Sequence, residues 1–311
     1  MKQLYLSLIR WFSSNNEAYN DNVNLLPNKI DWVGTLPFII LNMSCLLVIW
    51  VGVSWVAVST AIALYFLRVF FIGAFYHRYF SHRTYKTNRF WQFIFAILGL
   101  SAAQRGPLWW ASHHRQHHIS ADKEMDAHSP VRHGFLWSHI GWFMSTKNYY
   151  YNPERIKDFA KYPELVFLDR HDALVPIVLA VLLYGAGVLL QHLSPGLGTS
   201  GWQMLIWGFS ISTIMVFHTT VSINSLAHKY GKRRFKTDDN SRNSLILALF
   251  TLGEGWHNNH HHYPATARQG FFWWELDITY YMLKLFEKLQ IISDVRGVPK
   301  LILQKNRINS R

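Results

Sequence analysis

Residues 35–75 read TLPFIILNMSCLLVIWVGVSWVAVSTAIALYFLRVFFIGAF. Asn42 and Arg68 are the main polar interruptions. A bilayer core takes about 20 helical residues at about 1.5 Å rise each. The stretch therefore reads as two antiparallel spans, about 35–52 and 54–75, turning near Gly52–Ser54. Arg68 faces the helix bundle or snorkels to the interface. Two further runs have spanning length, 173–191 (ALVPIVLAVLLYGAGVLLQ) and 202–223 (WQMLIWGFSISTIMVFHTTVSI). The piece 90–104 is too short to cross and reads as a half-buried or re-entrant helix. Another short apolar piece covers 245–253.

The expected fold is an all-α integral membrane protein with four transmembrane helices and a cytoplasmic helical cap. Its expected divisions are an interfacial segment 1–34, spans one and two in 35–75, and cap 76–171. Spans three and four in 172–223 and cap 224–311 complete it. Residues 1–12 suit a short amphipathic surface helix, and the N-terminus lacks the pattern of a secretory signal.

Charge supports this orientation. The chain has 31 Lys and Arg against 18 Asp and Glu, a net charge of +13. Thirteen of the basic residues fall in 76–171 and fourteen in 224–311. The loop 191–201, QHLSPGLGTSG, carries no formally charged side chain. That asymmetry follows the positive-inside rule and puts both termini and both basic blocks on the cytoplasmic side. No nucleic-acid-binding motif accompanies the charge. Half of the residues are hydrophobic and 16% aromatic, which excludes a disordered chain. Cys45 is the single cysteine, which excludes a disulfide scaffold, a zinc finger and a thiolate iron–sulfur site.

The 17 histidines are clustered. His77 and His82 lie in H-R-Y-F-S-H. His113, His114, His117 and His118 lie in S-H-H-R-Q-H-H. His257, His260, His261 and His262 lie in G-E-G-W-H-N-N-H-H-H. On a helix, offsets of three and four share a face. His114, His117 and His118 therefore converge, as do His257, His260 and His261, and Asn224 with His228. His77 and His82, five apart, face each other less well but bracket one site at a helix end. Each group follows an apolar run, so all lie at similar depth. Imidazoles suit iron, zinc, copper and nickel. Eight or nine exceed the capacity of one ion and imply two. A histidine-rich metal transporter would instead place its ligands at the bilayer midplane. His133, His139, His171 and His192 read as ordinary surface residues, and His218 as a helix-to-helix hydrogen bond or an orienting group.

In this order and after these spans, H-R-Y-F-S-H, H-R-Q-H-H and H-N-N-H-H resemble the three histidine boxes of the membrane fatty-acid desaturases. S-H-R-T-Y-K, N-S-L-A-H and G-E-G-W-H-N-N-H-H are similar to the acyl-CoA delta-9 (stearoyl-CoA) subgroup. G-P-L-W-W-A-S-H-H-R-Q-H-H and H-S-P resemble its bacterial members. The resemblance covers roughly residues 35–290.

It implies two irons held by His77, His82, His114, His117, His118, His228, His257, His260 and His261, with Asn224 holding a water. His113 and His262 would be neighbours, not ligands. Asp122, Asp126 and His128 either orient ligand imidazoles or belong to a plain loop. The resemblance also implies a bent acyl tunnel, with Gln104, Trp110 and Thr220 at its bend. Tyr65 falls where the family closes the far end, and it suits a chain of about 16–18 carbons. Family members in animals have Arg-Asp where this chain has Ser112-His113, so their head-group contacts do not transfer. Arg105, Arg115, Lys147 and Arg233 are alternative contacts to coenzyme A phosphates or lipid phosphate.

The implied activity is O2-dependent desaturation of acyl-CoA, with an acyl-lipid desaturase or a related hydroxylase as alternatives. No flavin fingerprint, haem-attachment motif or H-P-G-G signature is present in the sequence, so electrons come from a separate donor, a ferredoxin or a b-type cytochrome with its reductase. The implied location is the inner membrane of a bacterium or the endoplasmic reticulum of a eukaryote.

Overall fold

A computed structural model describes residues 2–13, 26 and 28–308. Residues 1, 14–25 and 27 of the expected interfacial segment 1–34, and the last three residues of the expected 224–311 block, lie outside the described residues. The described chain is helical, with isolated bridges such as Lys86 with Ser293 but no strand.

Helix α1 (Lys2–Ile9) precedes the apolar helix α2 (Leu36–Val51). α2 tightens to a 3₁₀ turn at Cys45–Leu47 and stops at Gly52, whose φ of +71° a side chain with a Cβ adopts poorly. The Ser54 hydroxyl accepts the Ala57 N–H and starts α3 (Trp55–Ser81). α3 is α-helical to Phe71 and π-helical over Ile72–Ser81. α4 (Arg89–Leu100) and α5 (Pro107–Ser120) follow, then α6 (Pro163–Arg170). α7 (Leu174–Leu193) and α8 (Gly201–Ser225) return across the bundle. Short α9 (Leu245–Phe250), α10 (His257–His262) and the amphipathic α11 (Ile278–Lys288) complete the region around the histidines.

Among the described residues, three helices, α3, α7 and α8, are long and apolar enough to cross a membrane. The expected count was four. The shortfall is α2, which the Gly52 break leaves shorter than the other three. A second difference is that the helix of the second expected span does not end near residue 75. It runs on to Ser81, so His77 lies inside a helix instead of after one.

α3 packs against α8, and α8 also carries α7. Arg68 of α3 is fully buried in this contact. Its guanidinium donates to Ser212 Oγ, to Thr213 Oγ1 at 2.7 Å and to the Ser101 carbonyl at 3.2 Å, while Nε donates to the Leu64 carbonyl at 3.1 Å. It faces the bundle, and those acceptors replace the water it loses. A continuous aromatic core lies beyond the bundle. Phe75 stacks on Phe95 with centroids 4.0 Å apart, and Tyr79 stacks on Tyr85 at 5.2 Å. This core fixes the π-helical end of α3 against α4 and α5.

Candidate metal centre

Four segments bring the histidines together. The π-helical end of α3 supplies His77, with His82 one residue beyond it. A π-helix bonds residue i to residue i+5, so residues five apart lie over one another. The His82 N–H donates to the His77 carbonyl at 3.2 Å, and the two rings are 4.9 Å apart.

Helix α5 supplies the second group. Pro107 sits in its first turn, where no N–H is needed. Asp169 Oδ1 accepts the N–H groups of Leu108 and Trp109, both at 2.9 Å, and so closes this helix end from α6. A Cβ at Gly106 would stand 2.1 Å from that oxygen, so glycine is required by space. The offsets of three and four then carry His114, His117 and His118 to one side.

The six-residue α10 is held by the residues between its histidines. Asn258 Oδ1 accepts the N–H groups of Arg234 and Phe235, both at 2.7 Å. Asn259 Nδ2 donates to the Gln269 carbonyl at 2.9 Å and to Glu275 Oε2 at 2.8 Å. Both asparagines are fully buried. His228 arrives from the turn that follows α8.

The nine histidines fall into two groups. Donor atoms of His77, His82, His114, His118 and His260 all lie within 4.8 Å of one another, and so do those of His117, His228, His257 and His261. Within the first group, Nε2 of His260 is 2.9 Å from Nε2 of both His77 and His118. Nε2 of His82 and His114 are 2.8 Å apart. In the second group, His228 Nε2 is 2.9 Å from His257 Nε2, and His117 Nε2 is 3.3 Å from His261 Nε2.

Four carboxylates fix which nitrogen is bare. Nδ1 of His228 donates to Asp122 at 2.9 Å, His117 to Asp126 at 3.0 Å and His261 to Asp239 at 2.8 Å. His77 pairs in the same way with Glu254, which also holds Arg78. With Nδ1 carrying the proton, each Nε2 presents a lone pair to the interior. Facing lone pairs repel unless a cation lies between them. The donor set therefore fits two imidazole-bound transition-metal ions, iron included.

Electrostatics agree. Burial, then the charge of the neighbouring rings, holds His82, His114, His118, His257 and His260 well below the usual histidine range. Burial likewise takes His261 to about 4, against the opposing pull of Asp239. At Asp122 burial acts upward, but the bond and charge of His228 outweigh it and hold the carboxyl at about 2. These six rings are thus neutral and the Asp122 carboxylate is ionised, whereas at His117 burial acts downward but the charges of Asp126, Asp122 and Asp239 outweigh it and raise the ring.

A cavity of about 660 Å³ adjoins this centre. Gln104, Trp110, Thr220 and Asn224 line it, with His114 and His128. Gln104 Nε2 donates to Thr220 Oγ1 at 2.9 Å, and the Trp110 ring stacks on His114 with centroids 5.0 Å apart. Tyr65 is not among the residues lining this cavity; its buried hydroxyl donates to the Phe250 carbonyl at 2.9 Å and lies 3.1 Å from Thr219 Oγ1.

The remaining candidates separate clearly. His113 Nε2 donates to the Tyr150 carbonyl and His262 Nε2 to the Ile302 carbonyl, both at 3.1 Å, so each turns away from the centre. The His128 ring lies tilted by 34° against His117, centroids 4.5 Å apart, beside Asp126. His218 bonds His139 across 3.1 Å, a helix-to-helix contact. Arg115 is engaged by both oxygens of Asp158 at 2.9 Å, and Arg233 donates to the Thr237 carbonyl at 2.7 Å.

Sequence reasoning left the roles of Asp122 and Asp126 open and missed those of Glu254, Asp239, Asn258 and Asn259. The two asparagines were visible inside H-N-N-H-H, and Glu254 inside G-E-G-W-H. Asp239 sits in T-D-D-N, 22 residues before its partner, with no local signal.

The family model described as "Fatty acid desaturase" matches residues 53–289. An acyl-CoA 5-desaturase of Anemone leveillei is 36% identical over 216 residues, 68% of this chain and 63% of that protein. An sn-2 palmitoyl-lipid 9-desaturase of Nostoc sp. (strain 36) is 34% identical over 221 residues, 70% of this chain and 73% of that protein. An sn-1 stearoyl-lipid 9-desaturase of Anabaena variabilis is 34% identical over 218 residues, 70% of this chain and 75% of that protein. The match thus spans less than two thirds of the Anemone relative and about three quarters of the other two.

Proposed function

The chain belongs to the fatty acid desaturase family, and on that premise we propose that it is an O2-dependent acyl desaturase with nine histidines as the ligands of two irons. Its product is a cis double bond near carbon 9 of a saturated chain of about 16–18 carbons. The relatives named above act on acyl-CoA or acyl-lipid; either carrier meets the requirement of the site, which is an acyl chain laid beside the histidines.

The carrying observation is the convergence of bare Nε2 atoms in two groups. When bound, iron supplies the oxygen chemistry that side-chain acids and bases cannot perform on an unactivated methylene. Overall, the saturated chain, O2, two electrons and two protons give the alkene and two waters. The protein's part is position and exclusion. Asp122, Asp126, Asp239 and Glu254 hold four rings in one tautomer. The Gln104–Thr220 bond and the Trp110 ring shape the cavity wall next to His114, and so select which carbons approach. Asn224 offers its amide on the same wall, four residues before His228.

Electrons come from a separate carrier, a ferredoxin or a b-type cytochrome. The basic blocks 76–171 and 224–311, on the cytoplasmic side by the positive-inside rule, suit an acidic partner. The test is reconstitution of purified, iron-loaded protein with an acyl substrate, a reducing system and O2. Loss of two hydrogens from the substrate supports the reading. A product that gains one oxygen would make the enzyme a hydroxylase, and no product would remove the assignment.

A further inference from the structure

The cavity beside the histidines is open on one side. Ile40 of α2 and Ile177 and Val181 of α7 line it, yet they are 56%, 48% and 64% exposed. The two helices border the cavity without packing extensively on each other; each leans on α8 instead. The outer faces beside the gap are apolar, with Met43 and Leu46 on α2 and Val178 and Leu182 on α7 all exposed. In a bilayer these faces meet acyl chains, so the gap opens into hydrocarbon and not into water.

The polar end of the cavity is different. Arg10 and Arg105 flank the Tyr149 ring, their guanidinium carbons 4.5 and 4.8 Å from its centre. Each is already matched by a carboxylate, Arg10 by Asp31 at 2.5 Å and Arg105 by Asp172 at 3.4 Å. A coenzyme A head carries several phosphate charges and calls for surplus cations. A glycerolipid head with little or no net charge calls for polar contacts only, which this end supplies.

We infer that the acyl chain enters sideways from the bilayer, through the gap between α2 and α7, as part of an intact glycerolipid whose head stays near Arg10 and Arg105. The inference rests on the desaturase reading for what happens to the chain, but not for how the chain arrives. It departs from the acyl-CoA carrier that the sequence resemblance favours. Lateral entry needs no extraction of the lipid: the chain moves from one apolar surroundings to another, and the head remains at the interface.

The test uses the iron-loaded protein in phosphatidylcholine nanodiscs with two probes, a phosphatidylcholine and an acyl-CoA, each with a mid-chain diazirine. After illumination, mass spectrometry locates the labelled residues, and turnover of each carrier is measured in parallel. Labelling by the phosphatidylcholine probe inside the cavity, at Trp110 or Val221, is the expected result, because Ile40, Ile177 and Val181 face the lipid in either case. Ala180→Trp or, on the opposite wall, Ile40→Trp should each cut labelling inside the cavity about tenfold by filling the gap. Leu182→Trp, on the same helix but outside the cavity lining, should leave it unchanged. Labelling and turnover of the acyl-CoA probe alone would overturn the proposal and leave the desaturase intact. Phosphatidylcholine labelling at Trp110 or Val221 with no turnover of either carrier would uphold the portal and remove the activity.

Discussion

The backbone N–H of His82 donates to the carbonyl of His77 at 3.2 Å, and this single π-type bond brings their rings to 4.9 Å. In a regular α-helix, residues five apart diverge. Here the widened turn turns a five-residue spacing into a facing pair. Replacing His82 by Ala should therefore empty the five-histidine group and spare the other. The expected outcome is about one iron per chain in place of two, measured by elemental analysis of the purified protein. Retention of two irons would mean that His82 is not a ligand.

Carboxylates behind the rings should matter nearly as much as the rings. Asp122→Asn and Asp239→Asn keep the shape but lose the charge that anchors His228 and His261. Iron affinity should fall about 10- to 100-fold in each variant. Competition with a graded series of chelators reads this directly. Unchanged affinity in both variants would leave Asp122 and Asp239 as structural only.

Much of the centre is buried, and its facing nitrogens lack a proton to share. Removing metal should therefore lower the melting temperature. A ligand held at about 100 times its dissociation constant adds about 2.7 kcal/mol. Chelation followed by zinc should restore the melting temperature without restoring turnover, because zinc has no redox chemistry. A melting temperature indifferent to chelation would contradict a metal bound by these nine residues.

The position of Tyr65 along the chain suggests the end of an acyl tunnel, while the buried phenol bonds to Phe250 and Thr219 and is absent from the cavity lining. Tyr65→Phe should cost about 1 kcal/mol through the lost hydrogen bonds and leave chain-length preference unchanged. Thermal unfolding and competition between substrates of different chain length would show both. A shift of that preference would return Tyr65 to the acyl site.

Much of the site was legible because its signals are local. Offsets of three and four in H-H-R-Q-H-H and H-N-N-H-H place ligands on one helix face before any fold is known. The apolar runs gave α3, α7 and α8 in the same way. What the sequence did not show depends on distance or on a local exception. Asp239 reaches His261 across 22 residues, and Asp169 closes the start of α5 from 60 residues away. The π-helical end of α3 carries no composition of its own, so the helix outran its expected end. α2 looked like a full span because hydropathy does not register the positive φ of Gly52.

If these histidines hold the irons of an acyl desaturase, fatty-acid analysis with double-bond location, in a host expressing this chain or its His261→Ala variant, should separate the two. A cis-monounsaturated acid should appear with the native chain and be missing with the variant, at equal protein levels. The same new acid from both, or from neither, would contradict that assignment.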